Sequence, residues 1–133
     1  MKKKIAIVVV IALVVVGAAA YFLLFSGPAE PKSGFYTPGD YFVTNIKDSE
    51  RLVKVTLVLG ISTPDLVKAQ EQLTEINHVI RDIIVFSLRE KTEDDLRSDS
   101  IKETLNKELV KKLNEGLGID YITTIYFNDF VIQ

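Results

Sequence analysis

Few residues in this 133-residue chain have the types and spacing that chemistry needs. A zinc site wants clustered Cys and His, yet the chain has no cysteine and a single histidine, His78. Disulfides, thiolate metal centres and cysteine nucleophiles are thereby excluded. His78 lies between Asn77 and Val79 on what reads as the polar side of a helix. It is expected to be a surface side chain, because no Cys or second His can join it as a ligand. Glu93, Asp94, Asp95 and Asp99 form an acidic cluster, but it lacks the alternating oxygen ligands and central glycine of a calcium loop. A solvated turn between helices accounts for it better. Ser62 and Ser87 have no histidine in a plausible sequence context, and the glycines make no phosphate-binding fingerprint. No catalytic residue, cofactor, metal or small-molecule substrate is expected.

Charge narrows the partners further. Acidic and basic residues nearly balance at a formal net charge of −2, and only Lys2, Lys3 and Lys4 cluster. Nucleic acid, which needs a basic face, is not an expected partner. The run that follows the lysines, Ile5 to Phe25, is apolar and free of charge. At about 1.5 Å per residue it matches the roughly 30 Å hydrocarbon layer of a bilayer. Residues 1–4 then read as a cytoplasmic head and 5–25 as a transmembrane helix, with the positive-inside rule placing the remainder outside the cytoplasm. A cleavable signal peptide is the competing reading, since Ala18-Ala19-Ala20 offers a small-x-small site. Against it, Tyr21 to Phe25 prolong the apolar run well past that site. The segment has no ionisable group, so alone it carries neither protons nor ions across.

The elements beyond the membrane must position whatever the protein uses. Residues 26–38, rich in Pro, Gly and Ser, read as an extended periplasmic linker. Residues 39–133 read as one α+β domain in the order β-β-α-α-β. Tyr41 to Ile46 and Arg51 to Ser62 form a hairpin, with Val53, Val55, Leu57, Leu59 and Ile61 alternating onto one face. Thr63 is expected to cap a first helix that begins at Pro64, whose apolar stripe runs through Leu66, Leu73, Ile76, Ile80, Ile84 and Leu88. Val79, Ile83 and Phe86 widen that stripe past half the circumference, which marks a helix buried on two sides. In so small a domain the second side is a candidate subunit interface, with Val79, Ile83 and Phe86 at it. Ser100 to Glu103 reads as a capping box for a second helix, and Gly116 and Gly118 as its end. The closing run Ile119 to Gln133, apolar on both faces, reads as an inner strand.

Four features carry a family resemblance: the short N-terminal anchor, Tyr41-Phe42-Val43-Thr44-Asn45, the strand Leu52 to Leu59, and the ending Ile125-Tyr126-Phe127-Asn128-Asp129-Phe130-Val131-Ile132-Gln133. The ending is the most specific. Together they make the sequence similar to the flagellar basal-body-associated FliL family. The resemblance implies a periplasmic domain of stomatin (SPFH) type that forms ring-like homo-oligomers. It implies a place in the inner membrane at the flagellar basal body, beside stator units of the MotA/MotB type, supporting stator engagement, torque and motility. It supplies no catalytic residues, and it makes contacts on the cytoplasmic side doubtful because only four residues precede the anchor. A membrane-tethered periplasmic module that binds a solute or lipid, with no motility role, is the alternative, and a deep apolar pocket would be its mark. A small membrane-bound hydrolase ranks lowest, for want of a nucleophile–base pair.

Overall fold

A computed structural model describes Met1–Gln133 as two compact units, Met1–Glu30 and Pro31–Gln133. The first is one helix, α1 (Lys2–Phe25), with no buried residue along its length. It is long and apolar enough to cross a membrane.

The second unit contains strands β1 (Lys32–Tyr36), β2 (Phe42–Asn45) and β3 (Leu52–Thr63). Helices α2 (Leu66–Glu75), α3 (Asn77–Arg89), α4 (Glu93–Arg97) and α5 (Ile101–Leu117) follow, and β4 (Ile122–Ile132) ends the chain. The class is α+β, as expected, but the order β-β-α-α-β is too short by one strand and two helices. All strand pairing is antiparallel and centres on β3. β4 runs along one edge of β3 from Val53 to Ile61. β1 pairs with residues 59–63 and β2 with residues 52–55, so both must occupy the opposite edge, end to end.

The alternation along β3 does what it promised. Val53, Val55, Leu57, Leu59 and Ile61 are 0–1% exposed and meet the helices, while Lys54, Thr56 and Val58 face the other way, onto an open sheet face. Leu73, Ile80, Ile84, Leu88, Leu105, Leu109 and Leu113 close the core from the helix side. Each such side chain contributes roughly 1.5–3 kcal/mol when fully buried.

Four local expectations need correction. The segment read as linker supplies a strand: Lys32 to Tyr36 pair with Thr63 to Leu59, and the pairing carries β3 out to Thr63. Thr63 is therefore sheet, and Asp65 caps α2 instead, its carboxylate accepting from the Lys68 N–H at 3.1 Å. The long helix breaks at Ile76, where Asn77 turns to donate to the Pro38 carbonyl and accept from the Tyr36 hydroxyl. The capping box lies at Thr92 and Asp95 of α4, whereas Ser100 pairs with the Ser98 hydroxyl and makes no cap bond. α5 does end at Gly118, left-handed at φ 65°.

β4, expected as an inner strand, is an edge strand. Its two-sided apolar character has another cause. Ile122 and Ile125 point into the core, while Tyr126 stands on the open face with its ring against Phe35, centroids 5.9 Å apart. This pair passes over Gly60, where a Cβ would come within 2.6 Å of Thr124 Cγ2. A bare backbone at 60 is what admits it.

Candidate functional site

Of the residues whose types could do chemistry, Glu93 and Asp95 are engaged in holding the fold. Glu93 accepts from Arg97 at 3.0 Å and from the Ser49 hydroxyl at 3.2 Å, with Arg51 at 3.7 Å. The Arg97 hydrogen bond leads in holding its carboxyl below the ordinary glutamate range. Asp95 is lowered too, chiefly by the Thr92 backbone N–H that it accepts in the capping box. His78 is exposed on α3. Ser62 lies in β3, whereas Ser87 is 2% exposed in α3 and its Oγ has no partner. The structure does not bring these groups together.

One charged group is deeper. Glu108 of α5 bonds Lys91 and also Lys112, the latter at 3.0 Å. Burial pushes its carboxyl up, but the two ammonium groups outweigh that and leave it below the ordinary range. The cluster ties the loop after α3 to α5, so it serves the helix layer.

Surfaces remain. Val79, Ile83 and Phe86 all lie on α3, but they are unequal. Ile83 is half-buried, packs on the core, and lies 2.9 Å from where a Gly116 Cβ would stand. Val79 is half-buried, and Phe86 is 52% exposed. The strip thus runs from the core margin at Ile83 out to a large free aromatic ring.

The sheet edges are the second surface, which sequence spacing did not show. An edge strand offers unpaired peptide groups to any passing chain. Here much of the edge is stopped by side chains. Asn106 donates to the Ile125 carbonyl at 3.1 Å and accepts its N–H at 3.2 Å. Asn114, eight residues along the same helix, does the same for Ile122, at 2.8 and 3.2 Å. Each carboxamide acts as a one-residue imitation strand. On the opposite edge Gln70 meets the Phe35 carbonyl, and Asn77 and Arg81 meet those of Pro38 and Tyr41. Asparagines two helical turns apart in an otherwise amphipathic helix are the only sequence signal, and it needs the fold to be read.

The apolar hollow beside β4, lined by Ile101, Lys102, Leu105, Phe127 and Phe130, is about 270 Å³. Larger hollows of about 330, 430 and 490 Å³ elsewhere on the domain are lined mainly by polar and charged side chains.

Comparison with known proteins agrees with the resemblance. The family model described as flagellar basal body-associated protein FliL matches residues 35–133. A flagellar protein FliL of Aquifex aeolicus (strain VF5) is 28% identical over 108 residues, 79% of this chain; the chain spans 65% of that relative's length. A flagellar protein FliL of Bacillus subtilis (strain 168) is 31% identical over 123 residues, covering 87% of this chain and 86% of that protein. With β2, β3, the helix layer and the terminal strand β4 all inside the matched span, this chain belongs to the flagellar basal body-associated FliL family.

Proposed function

We propose that the protein is a non-enzymatic component of the flagellar motor, anchored by α1 in the inner membrane with its SPFH-like domain in the periplasm. There it self-associates, in part through Val79, Ile83 and Phe86, and sits around or beside MotA/MotB-type stator units. It biases them toward the engaged state and so supports torque and motility. The observation that carries this reading is the family match over residues 35–133, nearly all of the folded domain. Two further features support it. Ile5 to Phe25 contain no charge, so ion passage belongs to a partner. The folded domain starts at Pro31, within a few residues of the end of α1 at Phe25. At about 3.1–3.5 Å per residue, the intervening chain keeps the start of the domain within roughly 20 Å of the helix end.

Binding one stator conformation about 1.4 kcal/mol more tightly than the other shifts their ratio tenfold, so modest contacts suffice. A fluorescent fusion of the full chain tests the placement. It should form spots at flagellar bases that coincide with labelled stators. Uniform membrane fluorescence in cells with assembled, stator-loaded motors would overturn the reading.

A further inference from the structure

The helices cover one side of the sheet, and the strand register shows what is left on the other. Phe35 pairs with Gly60, Val43 and Val131 with Lys54, Leu52 with Asn45, and Tyr126 with Val58. All of these stand between the core-facing positions of β3, so they share the open face. Tyr41 joins them, its ring lying under the Lys54 ammonium at 4.9 Å. Phe35, Tyr41, Val43, Leu52, Tyr126 and Val131 are each exposed, from 37% at Leu52 to 62% at Phe35. Elsewhere in the domain the only large apolar side chains so exposed are Val67 on α2 and Phe86 on α3.

Apolar groups gathered on one face in this way mark a surface that something covers. Three observations point to a bilayer. The domain starts at Pro31, and the chain from the end of α1 at Phe25 reaches at most roughly 20 Å. The first strand after it, β1, carries Phe35. So short a tether gives a high effective concentration of the face at the membrane, and a weak contact then suffices. The second observation is the residue types. Phe35 and Tyr126 pack ring against ring, and Tyr41 adds a second phenol. Rings that are apolar with a polar tip are favoured at the level of lipid headgroups. The third is charge. Among the positions that strand pairing assigns to this face, only Lys54 and Asp129 are charged, one of each sign. Lys54 can lay its aliphatic stem along the face and keep its ammonium among the headgroups.

We propose that the open sheet face rests on the headgroup layer of the membrane that α1 crosses, with Phe35, Tyr41 and Tyr126 entering it. The contact is shallow, since interfacial apolar groups enter only about 5–10 Å. It is carried by apolar area, so it needs no anionic lipid. The inference rests on the reading of α1 as a membrane anchor and goes beyond it. The domain is held at a second place and does not swing on its tether, and its helix layer is turned away from the lipid.

The native chain has no tryptophan, so a single introduced one reports alone. Full-length Phe35→Trp and Tyr41→Trp replace ring by ring at exposed positions. Each is reconstituted in phosphatidylcholine vesicles brominated high on the acyl chains, where bromine quenches indole fluorescence only at close range. Both should lose intensity against unbrominated vesicles, while Phe86→Trp on α3 should not. Phe22→Trp in α1 is the reference for the anchor. If it is quenched and the two sheet-face variants are not, the sheet contact alone is overturned, and the face belongs to protein or to water. If it is itself unquenched, the anchor reading fails as well. Quenching of Phe86→Trp equal to that of the sheet-face variants would mean that the domain meets lipid at random, which also overturns the contact. Salt at 1 M, where screening acts within about 3 Å, should leave the quenching unchanged. Its loss would show a contact made by charge and contradict the apolar one.

Discussion

Glu108 shows how one side chain can matter to the whole helix layer. Its carboxylate sits between Lys91 and Lys112, mostly shielded from solvent, and those contacts lower its pKa in the folded state. A group lowered on folding adds stability above its unfolded pKa and loses it as pH falls through the lowered folded value. Glu108→Gln should therefore cost about 1–2 kcal/mol near neutrality, as two buried-side ammonium groups lose their charged partner. The gap between variant and parent should close as pH drops below the ordinary glutamate range. Thermal melts of both proteins across that range check it, and a gap that persists in acid would show the pair is not the cause.

At the scale of elements, truncation is the sharpest prediction. Removing Phe127–Gln133 deletes the half of β4 that pairs with Val53 to Leu57, together with Phe127, Phe130 and Ile132, which pack on the core. Full burial of such a side chain is worth roughly 1.5–3 kcal/mol, and losing three partly buried ones together with their strand pairing removes much of a domain stability of about 5–15 kcal/mol. The truncated domain should lack a cooperative melt; a normal one would show that this half of β4 is peripheral. The elements that sequence made legible are those with a pattern of their own: the unbroken apolar run of α1, the alternation of β3 and the recurring leucines of α5. The rest were decided by partners. β1 reads Lys-Ser-Gly-Phe-Tyr, without alternation, and exists because β3 offers it an edge. The break at Ile76 follows from Asn77 reaching the Pro38 carbonyl and the Tyr36 hydroxyl, contacts 39 and 41 residues away in sequence. β4 reads as inner because its open face carries Tyr126 and Val131, residues that density alone cannot distinguish from core. Spacing along α3 did not show the share of Ile83 that the core and Gly116 take up.

At the scale of the whole molecule, the free ring of Phe86 separates assembly from folding. Phe86→Glu should shrink the detergent-solubilised oligomer, measured by light scattering, with little change in the domain's melt. An unchanged size would remove this strip from the interface, and an unfolded variant would assign it to the core. The central claim, that the protein supports the stator, is tested most directly by motor torque in a deletion strain. Bead assays across a range of loads should show assembled flagella whose torque and stator occupancy fall, most of all at high load. Torque and occupancy identical to the parent at every load would contradict the account.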